Sequence, residues 1–232
     1  HRLIRRQRQM CIRDRYSRYS KIRNLKKEGL TVSMSDNKTP MMSLEAAIGA
    51  RRSIRRYETV PVERAKIEHM IDMAKMSPSP KNRQAWRVRI LEGAAKDQFV
   101  EMGYTCLQAL KETDQKFGSL EISLHAMKTA GAVLIVYNPF DDDIDYDRIW
   151  KKSDLQALGA FINTILLMAT QDGLGSLWIN DIYFIQEEAK AWLNISHEIA
   201  AVLTIGVPAE HPFARPRLSL RDIIDEGEFI VL

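Results

Sequence analysis

The sequence predicts a single α+β domain in which helices cover a central sheet that is mixed or mostly antiparallel. Apolar residues recur at helical spacing over residues 63–76 and 153–171. Two mostly apolar runs, at 131–137 and 199–207, have the length and composition of buried strands. With 232 residues, of which 45% are hydrophobic, the chain is long enough to bury one core of ordinary size.

The first half of this domain carries clear signals for element boundaries. Ser43 is a suitable N-cap, and Pro61 breaks the chain shortly before the second helix. Trp86, Val88 and Ile90 alternate with arginines, which is the period of a strand with one buried face. In chain order, we expect helices over 44–51 and 63–76, a strand over 86–90, helices over 94–110 and 119–129, and a central strand over 131–137.

The second half is organised around the longest predicted helix. Its main face and its flanks are both apolar, so we expect it to be buried nearly all round. An acidic loop from Asn138 to about Trp150 precedes it, and Gly173 and Gly175 end it and lead into the next strand. In chain order, we expect a helix over 153–171, a strand through 177–179, a short helix over 186–193, a strand over 199–207 and an extended end that reaches 232.

Basic charge is concentrated at the start of the chain. Residues 1–30 hold 11 Lys and Arg against 2 Asp and Glu, whereas residues 31–232 hold 23 basic and 28 acidic residues. The first segment begins with His, lacks regular helical periodicity and lacks the apolar centre of a signal peptide. We therefore expect residues 1–40 to be a disordered or non-native extension and residues 41–232 to be the domain. A basic arm that binds nucleic acid or an acidic membrane is the less favoured alternative.

Several common functions lack their motifs. No apolar run approaches the ~20 residues that span a bilayer, and Cys11 and Cys106 are too isolated to form a disulfide framework or a zinc site. We expect a cytoplasmic protein without a metal. Gly173 and Gly175 lack the third glycine of a dinucleotide fingerprint and follow a helix. The acidic run at 141–147 has a tyrosine where a calcium loop requires glycine.

An arginine cluster is the first candidate binding feature. Arg51, Arg52, Ser53 and Arg55 place three guanidinium groups and a hydroxyl close together in the chain. Guanidinium groups and hydroxyls form charge-assisted hydrogen bonds to phosphate, so this spacing predicts a site for a phosphate dianion. The alternative is that these arginines only offset the negative pole at an exposed helix end.

A proline-set turn and a glycine-rich segment are the second and third candidates. Asn82 and Gln84 stand just before a strand, and their amides can both donate and accept hydrogen bonds to a heterocycle. Small residues around Gly175 would let the backbone approach a flat ring closely. The plainer alternatives are ordinary turn chemistry for the first and a helix C-cap before a strand for the second.

Four elements occur in an order that carries a family resemblance. They are Arg-Arg-Ser-Ile-Arg at 51–55, Pro-Ser-Pro-Lys-Asn-Arg-Gln-Ala-Trp at 78–86, the long helix leading into Gly-Leu-Gly-Ser-Leu-Trp-Ile at 173–179, and Ile-Gly-Val-Pro-Ala-Glu at 205–210 followed by Arg-Pro-Arg at 215–217. With these elements the chain resembles the FMN-dependent nitroreductase family over about residues 43–220. That family usually has Pro where this chain has Ala85, and a small residue and Gly where it has Pro80 and Lys81.

The resemblance implies an FMN site that is divided among these elements. Arg51, Arg52 and Ser53 would bind the phosphate with help from Arg217, and Arg55 would reach the pyrimidine edge of the flavin. Asn82 and Gln84 of the turn would form hydrogen bonds to the imide edge of the ring or to the ribityl hydroxyls. A backbone N–H of the glycine-rich segment would donate to flavin N5. The implied cofactor-binding residues are Arg51, Arg52, Ser53, Arg55, Pro78, Ser79, Pro80, Asn82, Gln84, Leu174, Gly175, Ser176 and Arg217.

The resemblance also implies an intertwined homodimer of three-layer subunits, with FMN at the interface. Pro78 and Ser79 would contact the flavin of the partner subunit, and the extended C-terminal segment would embrace the other chain. We expect a ping-pong reaction, in which NADH or NADPH reduces the flavin before an electron-poor nitroaromatic, quinone or enone is reduced. Tyr104, Phe140 and Trp150 are candidates for the acceptor pocket. The alternatives are a reductive dehalogenase, a flavin-destroying enzyme and a non-catalytic flavin store or redox sensor.

Overall fold

Four antiparallel strands form the central sheet of the described chain. They are β1 Arg87–Leu91, β2 Ala132–Tyr137, β3 Gly175–Ile179 and β4 Ile199–Gly206. Their spatial order is β1-β2-β4-β3, so that β2 and β4 are the inner pair, with Leu134 opposite Leu203. Nearly all residues of this pair are buried, which explains why both strands are almost entirely apolar. Of the two predicted sheet types, the antiparallel one is observed.

The structure is a computed structural model that describes residues 42–141, 148–225 and 227. The predicted extension, residues 1–40, lies outside the described residues. Within the described part, no helix is both long and apolar enough to cross a bilayer. The helices are α1 Leu44–Ala50, α2 Arg64–Ala74, α3 Gly93–Glu112, α4 Leu120–Thr129, α5 Arg148–Gln171, α6 Gln186–Leu193 and α7 Leu220–Ile223, and 3₁₀ turns cover Pro80–Asn82 and Asp181–Ile185.

Helices cover both faces of the sheet and produce three layers. Alternate residues of β2 serve two cores, because successive side chains of a strand point to opposite faces. Val133 and Ile135 belong to the first core, which α3, α4 and α6 cover. Leu134 and Val136 belong to the second core, which α2 and α5 cover. The predicted α+β class and its three-layer arrangement are confirmed.

The longest helix, α5, differs from its prediction in two ways. It begins at Arg148, so Trp150 belongs to the helix and not to the acidic loop. It is also not buried nearly all round, because Leu155 is 48% exposed while Phe161 and Ile165 are fully buried. Its buried residues lie on the face that packs on the sheet and on α2, and other positions are half-buried or exposed. The acidic run at 142–147 lies outside the described residues.

Smaller differences occur at the ends of other elements. Helix α2 ends at Ala74, before the two prolines that were expected to end it. Gly173 has a φ of +73° in the turn after α5, a left-handed conformation that favours glycine. Gly175 and Ser176 already belong to β3, which starts two residues before the predicted strand. Neither the 3₁₀ turns nor α7 is anticipated by the sequence pattern.

Candidate functional site

The arginine segment, residues 51–57, runs beside the edge strand β3. The Ile54 N–H donates to the Ser176 carbonyl at 3.0 Å, and Ser53 and Ser176 form an isolated parallel bridge. An added Cβ on Gly175 would lie 2.9 Å from Ile54 Cγ1, so this position requires glycine. In this chain, Gly175 therefore allows the close approach of the arginine segment.

The arginine segment also pairs with the loop that follows β4. The Ala209 N–H donates to the Arg56 carbonyl at 3.0 Å. Glu210 Oε1 accepts a hydrogen bond from the Arg55 N–H at 2.6 Å. Three of the four sequence elements therefore meet at one edge of the sheet: the arginine cluster, the glycine-rich segment and this late loop.

Tyr57 anchors the arginine segment to the core. Its hydroxyl donates to the Ile54 carbonyl at 2.8 Å and lies 2.7 Å from Thr204 Oγ1. Burial raises the pKa of the Tyr57 phenol well above its usual value, so the hydroxyl stays protonated. Gly206 completes the contact, because an added Cβ there would lie 2.7 Å from Tyr57 Cδ1.

Tyr57→Phe is expected to lower the free energy of unfolding by about 1–3 kcal/mol, because two buried oxygens lose their partner. Urea denaturation measures the change. Tyr104→Phe is the matched control, since Tyr104 is half-buried and its hydroxyl makes no hydrogen bond within residues 42–141, 148–225 and 227. The control should cost less than about 0.5 kcal/mol. Equal losses in both variants would contradict the anchoring role of Tyr57.

A cavity of about 410 Å³ opens between the arginine segment and the late loop. Five arginines line this arginine cavity, and Ser53 adds a hydroxyl. A second cavity of about 340 Å³ adjoins it, because Arg52 and Pro212 line both. Leu174 and Gly175 line the second cavity. The five arginines of the first are Arg51, Arg52, Arg55, Arg215 and Arg217.

These arginines give the cavity a strong positive charge. Among the described residues, none of the five guanidinium groups forms an ion pair with a carboxylate. Arg52 Nη1 donates to the carbonyls of Gly49 and Arg51, at 2.7 and 2.8 Å, and so stabilises the C-terminal end of α1. The helix-end interpretation therefore holds in part for Arg52. An anion in the cavity would find several guanidinium groups that no carboxylate of this part of the chain neutralises.

Arg215 lines the arginine cavity but is not among the site residues predicted from the sequence. It belongs to the Arg-Pro-Arg motif with Arg217, which is among them. Residues two apart in an extended chain point to the same side, so this spacing is the signal that could have identified Arg215.

No residue of the proline-set turn, residues 78–84, lines either cavity. Lys81, Asn82 and Gln84 have φ values of 48°, 55° and 54°, which are uncommon for residues other than glycine. Ser79 Oγ accepts a hydrogen bond from the Gln84 N–H at 3.1 Å and closes the turn. Five of the predicted site residues belong to this turn, and within one chain none of them lines the arginine cavity. They are Pro78, Ser79, Pro80, Asn82 and Gln84.

The three aromatic candidates for an acceptor pocket separate into two groups. Phe140 and Trp150 both pack on Arg83, whose guanidinium carbon lies 4.7 Å from each ring centroid. Tyr104 lies on α3 and packs against the first core. None of the three lines the arginine cavity or its neighbour. The structure therefore joins Phe140 and Trp150 in one cluster and leaves Tyr104 out of it.

Ser176 takes part in the site through its backbone. Its carbonyl accepts the hydrogen bond from Ile54, whereas its side chain is 2% exposed. Its Oγ makes no hydrogen bond to any residue that the structure describes, which is unusual for a buried hydroxyl. Neither cavity has Ser176 among its lining residues.

Known proteins resemble this chain in both sequence and fold. The sequence profile of the Nitroreductase family matches residues 48–207. YfhC of Bacillus subtilis is 26% identical over 188 residues, which cover 79% of this chain and 93% of that protein. The 4-nitrobenzoate reductase of Pseudomonas putida is 24% identical over 195 residues, 72% of this chain and 86% of that protein. The solved structure of the FMN and NADPH-dependent nitroreductase NfnB from Sphigopyxis sp. strain HMH aligns with a TM-score of 0.67 and 18% identity, over 81% of this chain and 100% of that one.

Proposed function

This chain belongs to the nitroreductase family, and we propose that it is an FMN-dependent oxidoreductase that uses NADH or NADPH as its reductant. The observation that carries the proposal is the arginine cavity, which separate parts of the chain build at one edge of the sheet. Electron-poor small molecules (nitroaromatics, quinones or enones) are the proposed acceptors. The likeness to a 4-nitrobenzoate reductase and to an FMN and NADPH-dependent nitroreductase supports this choice of cofactor, reductant and acceptor.

The residues of the arginine cavity fit the phosphate of FMN. A phosphate monoester carries close to two negative charges, and guanidinium groups bind it through charge-assisted hydrogen bonds. Arg51, Arg217 and the Ser53 hydroxyl supply such donors, and Arg52 adds positive charge while it holds the end of α1. The adjoining cavity of about 340 Å³ offers room for the rest of the cofactor.

Bound FMN would supply the redox chemistry, by accepting a hydride from NADH or NADPH and reducing the acceptor in a separate half-reaction. The side chains of the protein bind and orient. Arg55 lines the arginine cavity, and we place it at the pyrimidine edge, where a positive charge raises the reduction potential. Leu174 and Gly175 line the adjoining cavity and would bring backbone close to the ring. This scheme requires no side-chain acid or nucleophile.

We also propose a homodimer in which the turn of one subunit completes the site of the other. Large apolar side chains are exposed along the segment after Pro212, and Phe213 is 97% exposed. An exposed apolar surface of this kind is typical of an interface between proteins. A second copy would cover it and could bring its own turn, residues 78–84, to the arginine cavity. The exposed apolar residues of the segment are Phe213, Leu218, Leu220, Ile223 and Ile224.

Ser79→Trp tests whether the turn reaches the site of the partner. An indole at this half-buried position should obstruct a flavin held across the interface, so the FMN content should fall by more than half in a protein that remains dimeric. Ser79→Ala is the matched control, because it removes the same hydrogen bond from Gln84 without adding bulk. Visible absorbance and analytical ultracentrifugation measure flavin content and assembly. Full flavin content in a dimeric Ser79→Trp protein would contradict the contact.

Anaerobic reduction tests the enzymatic proposal. NADH or NADPH should bleach the visible absorbance of the holoprotein, and 4-nitrobenzoate or a quinone should restore it after the oxidised nucleotide has left. Parallel double-reciprocal plots at several acceptor concentrations are expected for this two-step reaction. Bound flavin that neither nucleotide reduces would favour a store or sensor instead. Loss of the FMN mass during turnover in air would favour a flavin-destroying enzyme.

A further inference from the structure

Arg83 is held by groups from distant parts of the chain. Its guanidinium carbon lies 4.7 Å from the ring centroids of both Phe140 and Trp150. Its Nε lies 3.4 Å from Oδ2 of Asp154, a carboxylate on α5 whose side chain has 0% exposure. A guanidinium group can stack on aromatic rings and pair with a carboxylate at the same time, which an ammonium group does less well. This cluster, the Arg83 cluster, attaches the proline-set turn to the start of α5.

The backbone around Arg83 is in a conformation that needs such an attachment. Lys81, Asn82 and Gln84 have φ values between 48° and 55°, whereas Arg83 itself is right-handed with φ −64°. Left-handed conformations cost free energy for residues other than glycine. They persist where surrounding contacts enforce them, and they concentrate at ligand-binding turns. The Arg83 cluster supplies contacts of this kind to the turn.

The turn exposes two residues with amide side chains. Asn82 and Gln84 are exposed. Gln84 Nε2 makes one long contact, 3.5 Å, to the Asn82 carbonyl, and the Asn82 side chain makes no hydrogen bond within the described residues. A strained and firmly attached backbone that carries outward amides is a preorganised recognition element.

We infer that Arg83 and Asp154 are positioning residues for flavin binding, because they hold the turn in the conformation in which Asn82 and Gln84 form hydrogen bonds to the cofactor. The inference rests on the proposed function, since it takes FMN as the ligand of the turn. Phe140 and Trp150 serve in it as walls for the guanidinium group and not as contacts to an acceptor.

The two charges are expected to act as a unit. A buried carboxylate that loses a nearby cation is less well compensated, whereas loss of both charges removes that cost. Arg83→Met keeps most of the side-chain length but removes the charge, and Asp154→Asn removes the opposite charge at nearly constant size. The double variant should therefore be less impaired than the two single effects together predict.

Hydrogen exchange tests the turn without any cofactor. The Gln84 amide, which donates to Ser79 Oγ, reports whether the turn stays closed. In the full chain, Arg83→Met should raise exchange at Gln84 about tenfold or more and leave the inner strands β2 and β4 unchanged. Arg87→Met is the matched control, because Arg87 is an exposed arginine of β1 outside the Arg83 cluster. Equal exchange at Gln84 in the wild type and in Arg83→Met would overturn the inference.

Flavin affinity tests the second half of the inference. Quenching of flavin fluorescence on titration with the full chain gives the dissociation constant of FMN, at a temperature where circular dichroism shows each variant to be folded. Arg83→Met and Asp154→Asn should each raise it about tenfold or more, while Arg87→Met stays within about twofold. A folded Arg83→Met protein with unchanged affinity would overturn the positioning role.

Two further outcomes remain decisive. If Arg83→Met does not fold, Arg83→Lys takes its place, because it keeps the charge but lacks the planar group that fits between the rings. It should show an intermediate loss of affinity, and an unchanged value would overturn the inference.

A folded wild-type protein that binds no FMN would overturn the proposed function, and with it the flavin as the ligand of the turn. Exchange at Gln84 would then still show whether the pair holds the turn closed.

Discussion

A protein that carries Arg51→Ala together with Ser53→Ala is expected to purify largely free of flavin. Both side chains line the arginine cavity. A hydrogen bond from a charged donor to phosphate contributes about 1.5–3 kcal/mol, and a hydroxyl donor contributes somewhat less. Loss of both should raise the FMN dissociation constant about a hundredfold or more. The ratio of flavin to protein absorbance after purification, and titration of the flavin-free protein, measure the effect.

Arg56→Ala is the matched control for this double variant. Arg56 is an exposed arginine of the same segment, and it does not line the arginine cavity. Its substitution should leave the dissociation constant within about twofold of the wild-type value. A double variant as yellow as the control would show that the phosphate is assigned to the wrong residues. Loss of flavin from both proteins would point to a disturbed segment instead.

Phe161→Ala is expected to lower the free energy of unfolding by about 3–5 kcal/mol, because it leaves a cavity in a close-packed core. The ring is fully buried in the second core. It stacks on Trp86, with centroids 5.0 Å apart and an interplanar angle of 11°. Trp86 lies two residues after the proline-set turn, so the same stack also holds the chain just beyond the turn against α5. Urea denaturation followed by circular dichroism measures the change.

Phe184→Ala is the matched control for the core substitution. Phe184 is 41% exposed in the 3₁₀ turn Asp181–Ile185. Truncation there should cost about 1 kcal/mol or less. A loss in Phe161→Ala no greater than that in Phe184→Ala would mean that the second core is not packed between α5 and the sheet as described.

The inner strands and most helices are predictable because their signals are local. The apolar run at 131–137 contains β2. A strand that is buried on both faces has no position for a polar residue, so such a run is recognisable in the sequence. The start of α5 is not predictable in this way. Residues 148–152 carry two lysines and an arginine, and Trp150 packs on Arg83 from the proline-set turn. A contact between residues so far apart in sequence produces no periodic pattern of apolar residues in either segment.

In the candidate site, too, local features are predictable from the sequence and long-range contacts are not. The arginine cluster is visible in the sequence because its donors are neighbours in the chain. Its pairing with β3 is not visible, since Ser53 and Ser176 lie far apart in sequence. The left-handed conformation of the turn is not predictable from the sequence either. Glycine would indicate that conformation, but the positions are occupied by Lys81, Asn82 and Gln84.

The central claim is that this chain holds FMN in the arginine cavity, and one measurement tests it most directly. The protein is purified without added flavin, its visible absorption spectrum is recorded, and the cofactor released by heat is identified by mass spectrometry. The proposed function predicts flavin absorption bands and the mass of FMN, close to one per chain. A colourless protein that also fails to take up added FMN would contradict the claim, and the arginine cavity would need a different anion.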